Sequence, residues 1–142
     1  MGVKVTLPKM PKIDKAGLRR AFLKAGTKTQ ERIRRRTRSG YDMYGRRFQA
    51  YAPVSSDYKR KMGVKDFKGS RVTLTDSGKM VNSVSYSMIS TGFQMFVRDH
   101  ADIAYYHDVG AGNLPKRQFF GSDKWLRDYY ERIFTEAVIK DI

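Results

Sequence analysis

Residues 83–98 read SVSYSMISTGFQMFVR, and the alternation in this stretch decides the fold class. Val84, Tyr86 and Met88 fall on one side of an extended chain, while Ser83, Ser85 and Ser87 fall on the other. Thr91-Gly92 supplies a turn, after which Phe93, Met95 and Val97 alternate back with Gln94 and Arg98 between and beyond them. A period of two that is broken by a glycine turn and then resumed predicts a β-hairpin at about 81–98 with one apolar face. A sheet with one apolar face must bury it against another layer, so the flanking sequence has to provide the cover.

Two helices are placed to do so. On the N-terminal side, Asp14 can cap a helix running to about Arg38, where Ser39-Gly40 ends it. Its apolar positions Leu18, Phe22, Ala25, Thr29 and Ile33 step by three and four, one helical stripe. Gly17 and Gly26 each weaken that helix by about 1 kcal/mol relative to alanine. On the C-terminal side, Ser122 or Asp123 caps a helix through about Ile139. Trp125, Leu126, Tyr129, Tyr130, Ile133, Phe134, Ala137 and Val138 form its broad apolar face, and Lys124 and Asp128 stand one turn apart. The predicted class is therefore α+β: a small antiparallel sheet packed by a long N-terminal helix and a C-terminal helix.

The remaining stretches set the domain limits. Residues 1–12, MGVKVTLPKMPK, carry two prolines and spaced apolar residues and read as an extended arm; 13–142 reads as one domain. Gly45, Pro53, Gly63 and Gly69 interrupt 41–70, which is expected to be a long, basic, tyrosine-rich irregular loop. Asp76 suits the N-cap of a short helix, Ala101 to His107 a short helical or extended piece, and Gly110-Ala111-Gly112-Asn113 a chain-reversing turn.

Composition narrows the chemistry. The chain has no cysteine, which removes disulfides, thiolate metal sites and cysteine nucleophiles together. It holds no apolar run long enough to span a bilayer, and Met1 to Lys12 lack the apolar segment of a secretory signal, so a soluble protein made in a cytoplasm is expected. The formal charge is +15 and unevenly spread. Residues 1–47 hold 15 basic and 3 acidic side chains, whereas 48–142 hold 14 and 11. A field this concentrated calls for a negative partner: nucleic acid, an acidic protein face or an acidic membrane surface.

Candidate sites follow from residue types. Asp99-His100 and His107-Asp108 pair an imidazole with a carboxylate, as a general base or metal ligand would, but without any recognised metal spacing, and hydrogen-bonding structural roles are favoured. The glycines at 110 and 112 lack the Lys-Ser/Thr that completes a phosphate loop. Arg32, Arg34, Arg35, Arg36 and Arg38, continued by Arg46 and Arg47 and flanked by Tyr41, Tyr44 and Tyr51, suit contact with phosphates or with an acidic partner. Tyr105-Tyr106 and Phe119-Phe120 flank a loop containing Lys116-Arg117 and resemble an interface patch; one of the two phenylalanines is expected to plug the core. No Ser-His-Asp arrangement, paired-carboxylate site or nucleotide fingerprint is present, so no enzyme is expected and no cofactor is called for.

Three stretches, the region of Gly45, Arg47, Phe48, Tyr51 and Pro53, then Leu74 to Val84, then Tyr105 to Gly121, together resemble the bacteriophage virion-morphogenesis family, the neck or tail-completion proteins. The first surrounds Gly45, Arg47, Phe48, Tyr51 and Pro53 and is similar to the family's glycine-aromatic-proline loop. The second, Leu74-Thr75-Asp76-Ser77-Gly78-Lys79-Met80-Val81-Asn82-Ser83-Val84, resembles its leucine-x-x-Ser/Thr-Gly-x-hydrophobe-x-x-Ser pattern. The third, Tyr105-Tyr106-His107-Asp108-Val109-Gly110-Ala111-Gly112 followed by Leu114-Pro115-Lys116-Arg117-Gln118-Phe119-Phe120-Gly121, looks like its Tyr-x-His-x-x-Gly and Pro-x-Arg-x-Phe signature. The resemblance implies a non-enzymatic structural virion protein at the head–tail junction of a tailed phage.

In that reading 13–142 is a neck or tail-completion domain that forms a homo-oligomeric ring, with the head connector and the tail terminator or tail tube as neighbours and DNA in the channel as a further partner. Tyr105, His107, Gly110, Leu114, Pro115, Arg117, Phe119 and Phe120 would form the subunit interface. No membrane contact is expected. The alternatives are a free nucleic-acid-binding protein using residues 15–51, and a small hydrolase built on His100, His107 and nearby aspartates.

Overall fold

The computed structural model describes residues 2–4, 14–49, 58, 60–61, 74, 79–112 and 114–139. Helix α1 spans Lys15–Arg38, and α2 is a single turn at Lys79–Asn82. Strands β1 (Val84–Ile89) and β2 (Gly92–Val97) precede α3 (Ala101–Val109) and α4 (Lys124–Ile139). The class is α+β, with a two-stranded antiparallel sheet between a long first helix and a last helix.

The hairpin register pairs Val84 with Val97, Tyr86 with Met95 and Met88 with Phe93, so the alternating apolar residues share one face. Ile89 pairs with Gly92, which puts the turn at Ser90-Thr91 rather than at Thr91-Gly92. Gly92 already belongs to β2, with φ +154°, a conformation that side chains rarely adopt. Ser83, which alternation assigns to the polar face, is instead buried just before the strand. Its hydroxyl donates to the Met80 carbonyl at 2.8 Å and accepts from the Asp99 N–H at 3.0 Å, tying the two ends of the hairpin together.

Asp14 caps α1 by accepting the Ala16 N–H at 3.1 Å, and Ser39 closes it by donating its N–H to Arg35. The buried face runs through Ala21, Ala25, Gly26, Thr29, Ile33, Arg36 and Thr37. Leu18 and Phe22 are half-buried, because the face in closest contact with the hairpin is built from small residues. Gly26 is the reason: a Cβ there would stand 2.4 Å from the Tyr86 ring, so the glycine that costs helix propensity is what lets α1 lie close on β1.

Helix α4 packs along α1, where Phe22 and Phe134 meet at 5.0 Å between ring centroids and Tyr130 hydrogen-bonds Thr29. The main core joins Ile33, Phe48, Leu74, Met80, Val81, Val84, Ala104 and Phe119, with Met95, Val97 and Phe120 at its margin. Burying one such large side chain contributes about 1.5–3 kcal/mol.

The expected irregular loop is ordered at its start. Tyr41 bridges Arg47, and the Asp42 carboxylate accepts the N–H groups of Tyr44 and Arg46, both at 2.9 Å. Phe48 then enters the core. Residues 58, 60 and 61 are helical; the rest of 41–70, the expected Asp76 cap and most of the 1–12 arm lie outside the described residues. Helix α3 extends two residues beyond the expected His107, to Val109. Gly110, at φ +70°, caps it, with the N–H groups of Gly110 and Ala111 both donating to the Tyr106 carbonyl. Among the described residues, no helix is long and apolar enough to cross a membrane.

Candidate functional site

The signature at 105–121 folds into a clasp. The Arg117 N–H donates to the His107 carbonyl at 2.7 Å, bringing the loop back across the end of α3. Gly110 permits the crossing, because a Cβ there would sit 2.9 Å from the Lys116 backbone nitrogen. Arg117 is 3% exposed; its Nε donates to the Gln49 carbonyl at 3.0 Å and a terminal nitrogen lies 3.4 Å from His107 Nδ1. Asp108 accepts the Phe120 N–H at 3.1 Å, and burial pushes its carboxyl above the ordinary range against the opposing pull of that hydrogen bond and of Lys116. Phe119 is 0% exposed and plugs the core, while Phe120 is half-buried beside it.

This corrects the interface assignment for Arg117 and Phe119, which have no surface left to offer a neighbour. His107, Gly110 and Pro115 are half-buried, with His107 and Gly110 engaged in closing the clasp. Tyr105 and Leu114 remain exposed, joined by Ile103, Tyr106 and Val109. Nearby, Phe96, Val97, Ala104, Phe119 and Phe120 line an apolar hollow of about 200 Å³.

The arginine cluster divides in the same way. Arg36 is 9% exposed and donates to the carbonyls of Phe119 (2.7 Å) and Gly121 (2.6 Å) and to Asp123 (3.3 Å). Arg34 donates twice to the Val84 carbonyl, at 3.1 and 2.7 Å. Arg32 pairs with Asp123 at 2.6 Å. The expectation of a partner contact is therefore corrected for Arg36, whose buried guanidinium is given over to carbonyls and a carboxylate of its own chain, whereas Arg32 and Arg34 are half-buried and commit only some of their nitrogens inward. Burial lowers the pKa of Arg36 and of Arg34, partly countered in Arg36 by Asp123. Burial pushes Asp123 upward, but the Leu126 N–H together with Arg32 and Arg36 holds it below the usual carboxylate value.

Arg35 and Arg38 are exposed, with no ion-pair partner among the described residues. They line a groove of about 620 Å³ together with Lys28, Glu31, Arg32, Arg34, Ser39 and Trp125. Trp125 borders it, with the Arg32 guanidinium 4.5 Å from its ring centroid and Tyr129 stacked at 5.5 Å and 4°. Arg46 and Arg47 lie apart on the 41–47 turn, over the rings of Tyr44 (4.9 Å) and Tyr41 (6.0 Å). Reading the sequence missed the roles of Trp125 and Asp123, which meet α1 across some 90 positions of chain; only their place at the start of a helix was visible.

His100 is exposed at φ +57° immediately before α3, and its side chain makes no capping bond there. Among the described residues, no group of three or more His, Asp or Glu is placed to hold a metal ion. No protein-family model, curated protein or solved structure matches the chain.

Proposed function

We propose that this protein is a non-enzymatic structural component of a tailed-phage virion, a neck or tail-completion subunit that works by ring-like self-assembly between head connector and tail. The observation that carries the reading is what the clasp does with its signature residues. His107, Asp108, Arg117 and Phe119 are engaged in closing it, while Tyr105 is left exposed at the lip of a shallow apolar hollow and Ile103, Tyr106, Val109 and Leu114 are exposed elsewhere on the same segment. A rigid base carrying exposed aromatic and aliphatic groups matches the anatomy of an interface core. The resemblance of the 105–121 segment to the neck family points the same way.

Mass photometry and negative-stain microscopy of the full chain test this. The expected result is a closed oligomer that Tyr105→Ser/Leu114→Ser dissociates without unfolding; a monomer at every concentration would refute it. A second reading, a nucleic-acid-binding protein acting as a free monomer, is favoured by the basic groove on α1. It predicts full activity from a chain that never assembles.

A further inference from the structure

We infer that the outer stripe of α1 is a binding track for the phosphate backbone of duplex nucleic acid, in which Lys28, Arg35 and Arg38 make the contacts and bases are not read. The inference does not depend on the virion reading and holds for a ring subunit or a monomer.

Lys28, Glu31, Arg32, Arg35, Arg38 and Ser39 succeed one another along α1 in steps of three, one, three, three and one, so they occupy a single face of the helix. Among the described residues, five cationic residues and one acidic residue line the groove they border. Arg32 commits its Nε to Asp123 and Arg34 commits Nε and one terminal nitrogen to the Val84 carbonyl, so both are less free to turn outward than the other cations of the groove. Lys28 keeps an exposed 3.7 Å pair with Glu31, which contributes little, and lies at 5.9 Å over the Trp125 ring. Arg35 and Arg38 are uncommitted among the described residues. The helix C-terminus itself favours cations in its last turn, so the array is tolerated in the absence of a ligand.

Two features select phosphate over the alternatives. Interfaces between proteins concentrate apolar groups at their centre and deplete charge there, whereas this groove is lined by charge, with Trp125 the one aromatic among its described residues. Arg32, Lys28 and stacked Tyr129 already crowd that ring, which is 45% exposed, so an incoming strand meets cations before a bare aromatic face. From Lys28 to Arg38 the helix rises about 15 Å, a length over which one strand of a duplex carries roughly four phosphates.

Fluorescence anisotropy of the full chain with a labelled duplex of arbitrary sequence, at several salt concentrations, tests the inference. Expected are binding that is indifferent to sequence, a slope of log K against log salt of about −3, and weaker binding of the matching single strand. Arg35→Glu/Arg38→Glu should weaken duplex binding roughly tenfold or more. Lys15→Glu/Arg19→Glu changes the net charge equally at the far, exposed end of α1 and should shift affinity by less than about twofold. Arg35→Gln/Arg38→Gln, the milder pair, repeats the test if the glutamates disturb folding. Equal losses from the two charge-matched pairs would overturn the proposal, as would single strands binding at least as tightly as duplex. Polyglutamate displacing duplex at equal charge would also overturn it and identify an acidic protein partner. Duplex binding by a chain that remains monomeric would leave this inference standing and remove the ring.

Discussion

Arg36 and Arg35 are adjacent in the chain and opposite in circumstance. Arg36 points into the clasp, where two carbonyls and a carboxylate hold it, and Arg35 borders the groove with no ion-pair partner among the described residues. One helix thus carries two arginine populations about 100° apart, an inner one that completes the fold and an outer one that projects charge. Arg32 lies between them, paired with Asp123 yet lining the groove, which anchors the outer stripe to α4. The lesson is that charge density along a sequence does not measure charge offered to a partner, because a buried guanidinium is committed to its own chain.

Variants can break or sharpen this contrast. The largest losses are expected in the clasp. Phe119→Ala should cost about 3–5 kcal/mol in a denaturant titration, since it empties the centre of the core. Arg36→Met should cost nearly as much, about 3 kcal/mol or more, because the buried carbonyls of Phe119 and Gly121 lose their donor and Asp123 loses one of its two arginine partners. If Arg36→Met were neutral, the two arginine populations would not differ as described.

Gly26→Ala comes next and discriminates by sign. Helix propensity alone predicts a gain of about 1 kcal/mol, but the Tyr86 ring stands where the new methyl would go, so a loss of about 1–3 kcal/mol is expected. Removal of that obstacle by Tyr86→Ala should then make the same glycine replacement far less costly in a double-mutant cycle.

Smaller effects come from two carboxylates shifted in opposite directions. Asp123 has a folded pKa below its unfolded value, so its contribution is present above the unfolded pKa and is lost as pH falls through the folded one. Asp108 has a folded pKa above its unfolded value, so stability declines as pH rises from the unfolded pKa through the folded one. Asp123→Asn should therefore destabilise at neutral pH and flatten the acid limb of the stability profile. Asp108→Asn, which can keep an oxygen for the Phe120 N–H, should remove a decline on the alkaline side of the carboxylate range. Smallest of all, Arg35→Gln and Arg38→Gln should stay within about 0.5 kcal/mol of the parent, as exposed groups away from packing do.

Much of the fold was legible in local patterns. Alternation at 84–97 located both strands, Asp14 and Ser39 delimited α1, and Asp123 announced α4, because period and capping are properties of neighbouring residues. The site was legible only as a composition. Arg32, Arg34, Arg35, Arg36 and Arg38 look alike in sequence, and the signature around His107 and Arg117 reads equally well as surface chemistry or as scaffold.

By itself, then, the sequence determined the class of fold, the ends of its main helices and strands, and the concentration of positive charge before residue 48. Only the tertiary structure decided which cations face inward, why Gly26 must lack a side chain, and that Trp125 closes over Arg32. The reason is physical. Periodicity reports the direction of a side chain relative to its own helix or strand, whereas hydrogen-bond satisfaction and desolvation depend on groups that meet it from distant parts of the chain.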